Sequence, residues 1–142
     1  MILYFDSSAL SKVLLVEAGS GEARDLWNLD APLVSSWIAY AETSAAIGAA
    51  VRGRRISRSQ GTTALRRLAR EWESVIPLEV ECAVATVAGT MAVRHGLRGM
   101  DAIHLSSALS LEGAELLLVT WDRDLGRAAQ REGLATAGAT TD

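Results

Sequence analysis

Five short apolar runs alternate with stretches whose apolar residues recur at helical spacing, the pattern of a parallel sheet with helices packed on its faces. The first run, Ile2-Leu3-Tyr4-Phe5, contains no polar backbone-breaking residue and stops at Asp6-Ser7-Ser8, as a buried strand does where it gives way to a helix. Ser7 or Ser8 is placed to cap that helix, which runs to about Leu15 with Ala9, Leu10, Val13 and Leu14 on one side. Gly19-Ser20-Gly21 breaks it, and a short second helix over 21–28 turns Leu26 and Trp27 inward. Pro32-Leu33-Val34-Ser35 is the second strand, after which Ser35 or Ser36 caps an alanine-rich third helix reaching about Arg52.

On that third helix Ile38, Ala41, Glu42, Ala45 and Ala49 form one stripe, which predicts that Glu42 faces inward among small residues. A fourth helix over 59–72 presents Leu65, Leu68, Ala69 and Trp72, and a strand over 75–78 carries a proline suited to a sheet edge. The fifth helix, 82–95, ends at Gly96 as a left-handed cap, with His95 read as a surface residue that complements the helix dipole. Gly99-Met100-Asp101 opens a sixth helix to about Leu111, and Leu116-Leu117-Leu118-Val119-Thr120 is the strongest strand after the first. Trp121-Asp122-Arg123-Asp124 then opens a last helix over 124–132, a weak edge strand follows over 134–137, and the final residues are expected to fray.

With 142 residues, 49% of them apolar, the chain fits one domain over 1–142, with no repeat or linker. It has no apolar run of the roughly twenty residues that span a bilayer, and Asp6 interrupts the N-terminus too early for a secretory signal. The expected location is the cytoplasm. The single cysteine, Cys82, has no partner at disulfide or metal spacing and reads as a small core residue. A net charge of -3 gives no global case for a polyanion partner. Thirteen of the fourteen cations are arginines, however, and Arg52, Arg54, Arg55 and Arg58 cluster, with Arg66, Arg67 and Arg70 one helix later. That cluster is either a solvated helix end or a phosphate-binding patch.

The acids carry the chemistry. If every strand ends on one edge of a three-layer α/β/α sandwich, Asp6, Asp101 and Asp122 meet there, with Glu42 on the flanking helix. Asp101 and Asp122 also suit helix capping, and His104, one turn beyond Asp101, is a buried histidine able to donate a supporting hydrogen bond. Four clustered carboxylates repel one another, and a hard divalent cation resolves the conflict. Carboxylate and water ligands suit Mg²⁺ or Mn²⁺, whereas zinc would want Cys or His. The matching chemistry is hydrolysis of a nucleic-acid phosphodiester. A haloacid-dehalogenase type of phosphatase needs a second aspartate where Ser8 stands, and the acidic pair and later phospho-acceptor of a receiver domain are not visible.

Phe5-Asp6-Ser7-Ser8-Ala9-Leu10, Tyr40-Ala41-Glu42, Arg98-Gly99-Met100-Asp101-Ala102-Ile103-His104-Leu105 and Val119-Thr120-Trp121-Asp122-Arg123-Asp124-Leu125 resemble, in order, the four motifs of the PIN-domain family. More narrowly they resemble VapC-type toxins of type II toxin–antitoxin pairs, over nearly the whole chain. The resemblance implies a Mg²⁺-dependent endoribonuclease, held inactive by a cognate antitoxin and acting as a homodimer. Asp6 and Asp101 would be the principal metal ligands, Glu42 and Asp122 would complete the acidic site, Ser8 would hydrogen-bond within it, and Asp124 would assist Asp122. RNA affinity would fall to Arg52, Arg54, Arg55 and Arg58, then to Arg98 and Arg123. Two alternatives keep the fold: a housekeeping RNA-processing nuclease without antitoxin, and a non-catalytic interaction module.

Overall fold

The computed structural model describes residues 1–111 and 113–138; the fraying expected of the last residues lies outside that range. Twelve elements follow in order: β1 (Ile2–Phe5), α1 (Ser7–Leu14), α2 (Ser20–Trp27), β2 (Leu33–Ser36), α3 (Trp37–Arg52), α4 (Arg58–Trp72), β3 (Val75–Leu78), α5 (Cys82–His95), α6 (Gly99–Leu109), β4 (Leu116–Thr120), α7 (Arg123–Arg131) and β5 (Ala135–Gly138). The five strands form one parallel sheet in the order β3-β2-β1-β4-β5. The proline-bearing strand and the weak last strand are its two edges, where missing ladder donors cost least.

Successive strand residues feed opposite cores. Leu3, Phe5 and Val119 pack with α1 to α4, while Tyr4, Leu116 and Leu118 pack with α5 to α7. The chain steps from β1 outward to β3, then returns past β1 to β4 and β5. Crossovers of one hand in opposite directions put their helices on opposite faces, and this yields the three layers. The direction reverses between β1 and β4, so the crevice at the carboxyl ends of those two strands is the ligand-binding position of such a sheet.

Several local expectations differ. Asp6 itself caps α1, its Oδ1 accepting from the Ala9 amide at 2.9 Å, so neither serine serves as the cap. On α3 the buried face is Ala39, Thr43, Ile47 and Ala50, one step round from the predicted stripe; Ala41, Ala45 and Ala49 are exposed. An alanine-rich helix offers too little contrast in side-chain hydrophobicity to fix its rotation from sequence. On α4, Gly61 and Ala64 are buried where Leu65 and Ala69 were expected; Gly61 lets α4 approach Val51 of α3 closely.

Cys82 is exposed at the start of α5, outside the core. His95 is inward: its side chain is 5% exposed and its Nε2 lies 2.6 Å from Glu132 beyond the end of α7. That contact, followed by Arg94, holds the Glu132 carboxyl below the usual range. Gly96 takes the left-handed cap at φ 65° as expected. Among the described residues no helix is long and apolar enough to cross a membrane.

Candidate active site

The crevice at the β1/β4 switch point is built from the strand ends outward. Asp6, only 2% exposed, follows β1 and accepts three kinds of donor. Ser8 Oγ donates to its carboxylate at 2.7 and 2.9 Å, Thr120 Oγ1 at 2.6 Å, and the Ala9 amide at 2.9 Å. Those hydroxyls in turn accept from the turn after β4: Trp121 N donates to Ser8 Oγ at 2.8 Å and Asp122 N to Thr120 Oγ1 at 3.0 Å. A single network therefore fixes the ends of β1 and β4 around one carboxylate. Burial pushes the Asp6 carboxyl up from its ordinary value, against the pull of the nearby His104 and of the Thr120, Ala9 and Ser8 hydrogen bonds.

The remaining acids arrive from three other segments. Glu42 is on α3, which starts where β2 ends because Ser36 caps it. Asp101 lies in the first turn of α6, where Arg98 occupies the cap position without a side-chain cap bond, so Asp101 is free of capping duty. Asp122 does cap α7, accepting from the Leu125 amide at 2.9 Å with Oδ1. Its other oxygen lies 3.5 Å from the Arg98 NH2 group.

Asp6, Ser8, Glu42, Arg98, Asp101 and Asp122 line a cleft of about 210 Å³. A second space of about 440 Å³ adjoins it through Glu42, Arg98 and Asp101 and adds Met100 and Ile103. Partial burial raises the Asp101 carboxyl, and the charge of Asp122 adds to that, while Arg98 opposes it. Arg98 stands between the two acids, its Nε 3.1 Å from Asp101 and its NH2 group 3.5 Å from Asp122. These acids hold its guanidinium above its ordinary value, and its side chain is 83% exposed.

The donor set suits a hard divalent cation. It is all carboxylate, and Asp101 and Asp122 already share a positive group. Among the described residues no three acidic, histidine or cysteine side chains are gathered tightly enough to ligate one ion as they stand. Mg²⁺ does not require that, since it keeps several waters and is held through one or two carboxylates.

The other sequence-derived candidates are placed differently. Asp124 is exposed on the first turn of α7 and adds negative charge towards Arg98 from outside the cleft lining; Arg123 beside it is exposed. Arg52 is ten residues beyond Glu42 on α3, about 15 Å along the helix. Exposed Arg52, Arg54 and Arg58 thus lie towards the opposite end of that helix. Arg55 lines a separate pocket of about 420 Å³ with Arg67, between the end of α1 and the start of α4. The supporting bond of His104 goes to Glu42 at 2.7 Å, not to Asp101. Sequence reasoning missed Thr120 and Tyr4. A hydroxyl at the last position of a strand next to the switch point was the available signal for Thr120.

Trp121, next in sequence to Asp122, packs its indole closely against a glycine. Gly19 has φ +89°, and a Cβ there would stand 2.6 Å from Trp121 Nε1. Gly19→Ala is expected to cost about 1–3 kcal/mol in denaturant unfolding; an unchanged midpoint would show that the indole is not held against this turn.

The family model for the PIN domain matches residues 3–131. The chain is 38% identical over 141 residues to Ribonuclease VapC45 of Mycobacterium tuberculosis, covering 99% of this chain and 98% of that protein. Among solved structures it is similar to Mycobacterium tuberculosis VapC20, described as a sarcin–ricin loop cleaving toxin, with TM-score 0.71 and 18% identity over 96% of this chain and 98% of that one. A toxin–antitoxin complex from Klebsiella pneumoniae gives TM-score 0.60 and 16% identity, over 89% of this chain and 90% of that one. At such identities the structural likeness is one of fold.

Proposed function

The chain belongs to the PIN-domain family, and from that membership we propose that it is a Mg²⁺-dependent endoribonuclease, with Mn²⁺ as an alternative ion, acting as the toxin of a type II toxin–antitoxin pair. The observation that carries the reading is the meeting of Asp6, Glu42, Asp101 and Asp122, from four distant segments, around one cleft at the switch point of the sheet. The near full-length identity to Ribonuclease VapC45 supports RNA as the substrate.

Asp6 and Asp101 would hold the ion, with Glu42 and Asp122 completing the set directly or through water. Such an ion supplies a polarised phosphodiester, a water of lowered pKa and a counter-charge for the leaving oxygen. The protein's own groups do the rest. Ser8 and Thr120 keep the Asp6 carboxylate fixed and aimed, since both hydroxyls donate to it. Arg98, exposed on the cleft wall, offers a fork of donors that a phosphate oxygen can take over from Asp101 and Asp122. The adjoining space past Met100 and Ile103 gives the RNA chain room to continue. Arg123 and the more distant Arg52, Arg54, Arg55 and Arg58 would meet phosphates farther along the strand, and Asp124 would assist Asp122 from the rim.

Two partners are part of the proposal: a cognate antitoxin, for which the fold-level likeness to a toxin–antitoxin complex speaks, and a second copy of the chain. For the dimer the support is α5, an apolar helix in which only Ala88 and Met91 are buried, with Val87 and Val93 exposed. A second copy seated on α5 would cover these exposed apolar side chains.

Purified protein is expected to cut RNA internally with Mg²⁺ or Mn²⁺ and to stop on addition of EDTA, read on a gel of total cellular RNA. Expression alone should arrest growth, and co-expression of the neighbouring antitoxin should relieve it. Cutting that persists in EDTA would remove the metal from the mechanism; cutting without growth arrest would remove the toxin role.

A further inference from the structure

We propose that Tyr4 and His104 form a positioning chain that runs from the sheet interior into the cleft and holds the Glu42 carboxylate in place, with a proton on His104 Nε2. The inference rests on the reading of Glu42 as part of the cation site and deepens it.

Tyr4 is 0% and His104 1% exposed. The Tyr4 hydroxyl lies 2.9 Å from His104 Nδ1, and His104 Nε2 lies 2.7 Å from Glu42 Oε1. The two rings meet edge to face, with centroids 6.0 Å apart and planes at 79°. Both residues come from elements that already carry the site: Tyr4 stands two positions before Asp6 on β1, and His104 one turn after Asp101 on α6. Glu42 comes from the opposite helical layer, so the Nε2 bond reaches it from the layer to which Tyr4 and α6 belong.

The chemistry of the chain is constrained. A carboxylate only accepts, so a close Nε2 contact requires Nε2 to be the donor. A neutral imidazole then offers Nδ1 as an acceptor, and a phenol hydroxyl is the group that can donate to it in a site closed to water. The reverse arrangement, Nδ1 donating to Tyr4, leaves a lone pair of a neutral ring facing Glu42 and demands a protonated glutamate. A glutamate free to choose among its rotamers would point into solvent on its 22% exposed side. Held by His104 through Oε1, it stays among the side chains that line the cleft. Outer partners that orient a ligand in this way typically contribute tenfold or more to metal affinity.

The test measures Mn²⁺ affinity by calorimetric titration on the full chain and its variants, each with a melting temperature. His104→Leu is expected to weaken binding about tenfold and Tyr4→Phe about threefold, whereas His104→Gln, whose amide nitrogen can still donate to Glu42, should stay within about threefold of the parent. Both His104 variants lose core packing and should melt lower, so a merely structural histidine predicts equal affinities for Leu and Gln. That result overturns the proposal. Ring nitrogen NMR of the parent protein gives an independent check that does not depend on variant folding: with only His95 and His104 present, a protonated His104 Nε2 supports the chain and an unprotonated one overturns it. Glu42→Gln separates the two levels. If it binds Mn²⁺ like the parent, the cation reading of Glu42 fails and the proposal with it; if it binds weakly while His104→Leu binds normally, only the positioning chain fails.

Discussion

Asp6→Asn is expected to reduce RNA cleavage by about a thousandfold or more and, at neutral pH without divalent metal, to raise the melting temperature. The two effects share one cause. Asp6 is 2% exposed, and burial raises its carboxyl above the ordinary value despite hydrogen bonds from Ser8, Thr120 and the Ala9 amide. An acid whose folded pKa exceeds its unfolded one penalises the folded state wherever the group is ionised. The penalty is absent below the unfolded carboxylate range near pH 3.9. It grows as pH rises from that range to the folded value, and stays constant above it. Asn carries no charge and escapes it. The gap between variant and parent should therefore be widest at neutral to basic pH and close as the pH is lowered towards 4. Added Mn²⁺ should narrow the gap from the other side, because it stabilises the parent by binding the folded state and does not stabilise the variant. A variant that melts below the parent at pH 8 in EDTA would mean that the hydrogen bonds outweigh the desolvation of the charge.

Thr120→Val is expected to act in the opposite direction on stability, losing about 2–3 kcal/mol and lowering the melting temperature by roughly 5–10 °C. Valine matches threonine in shape and suits a strand, so β4 should persist. What disappears is Oγ1, which donates to Asp6 at 2.6 Å and accepts from Asp122 N at 3.0 Å in a site 1% exposed. The charge on Asp6 is left with fewer donors, and the Asp122 amide is left without its acceptor. Cleavage should fall by about 10–100-fold as Asp6 and Asp122 lose their fixed separation. Thr120→Ser should retain most of both properties. In an Asp6→Asn background the cost of Thr120→Val should shrink, since no buried charge remains to be orphaned; full additivity in that double-mutant cycle would show that Thr120 acts through packing instead.

The contrast between the two predictions shows how legible the site was. Asp6, Asp101 and Asp122 stood out in the sequence because each interrupts or follows an apolar run at a place where a strand gives way or a helix begins. That position can be read from the one-dimensional pattern. Of their supporting groups, Ser8 is expected from the likeness of its motif and His104 from its place one turn after Asp101, whereas Thr120 is not. Thr120 looks like an ordinary strand residue until β4 is known to lie beside β1. Arg98 reads from the sequence as a phosphate-binding arginine, and only the fold places its guanidinium between Asp101 and Asp122. Glu42 belongs to a stripe of α3 that is not its buried face, and it lines the cleft from a half-buried position beside His104.

By itself the chain determined the number, type and order of its strands and helices, the edge positions of β3 and β5, the glycine cap after α5 and the carboxylates at the strand ends. These follow from local periodicity and backbone chemistry, which neighbours in sequence suffice to express. Tertiary structure alone decided the rotation of α3 and α4, the exposure of Cys82, the inward pairing of His95 with Glu132, the Thr120 bonds to Asp6 and Asp122, and the choice of Glu42 as the partner of His104. Each of those depends on which segments become neighbours in space, and for residues about a hundred positions apart, such as Tyr4 and His104, the pattern along the chain carries no record of it.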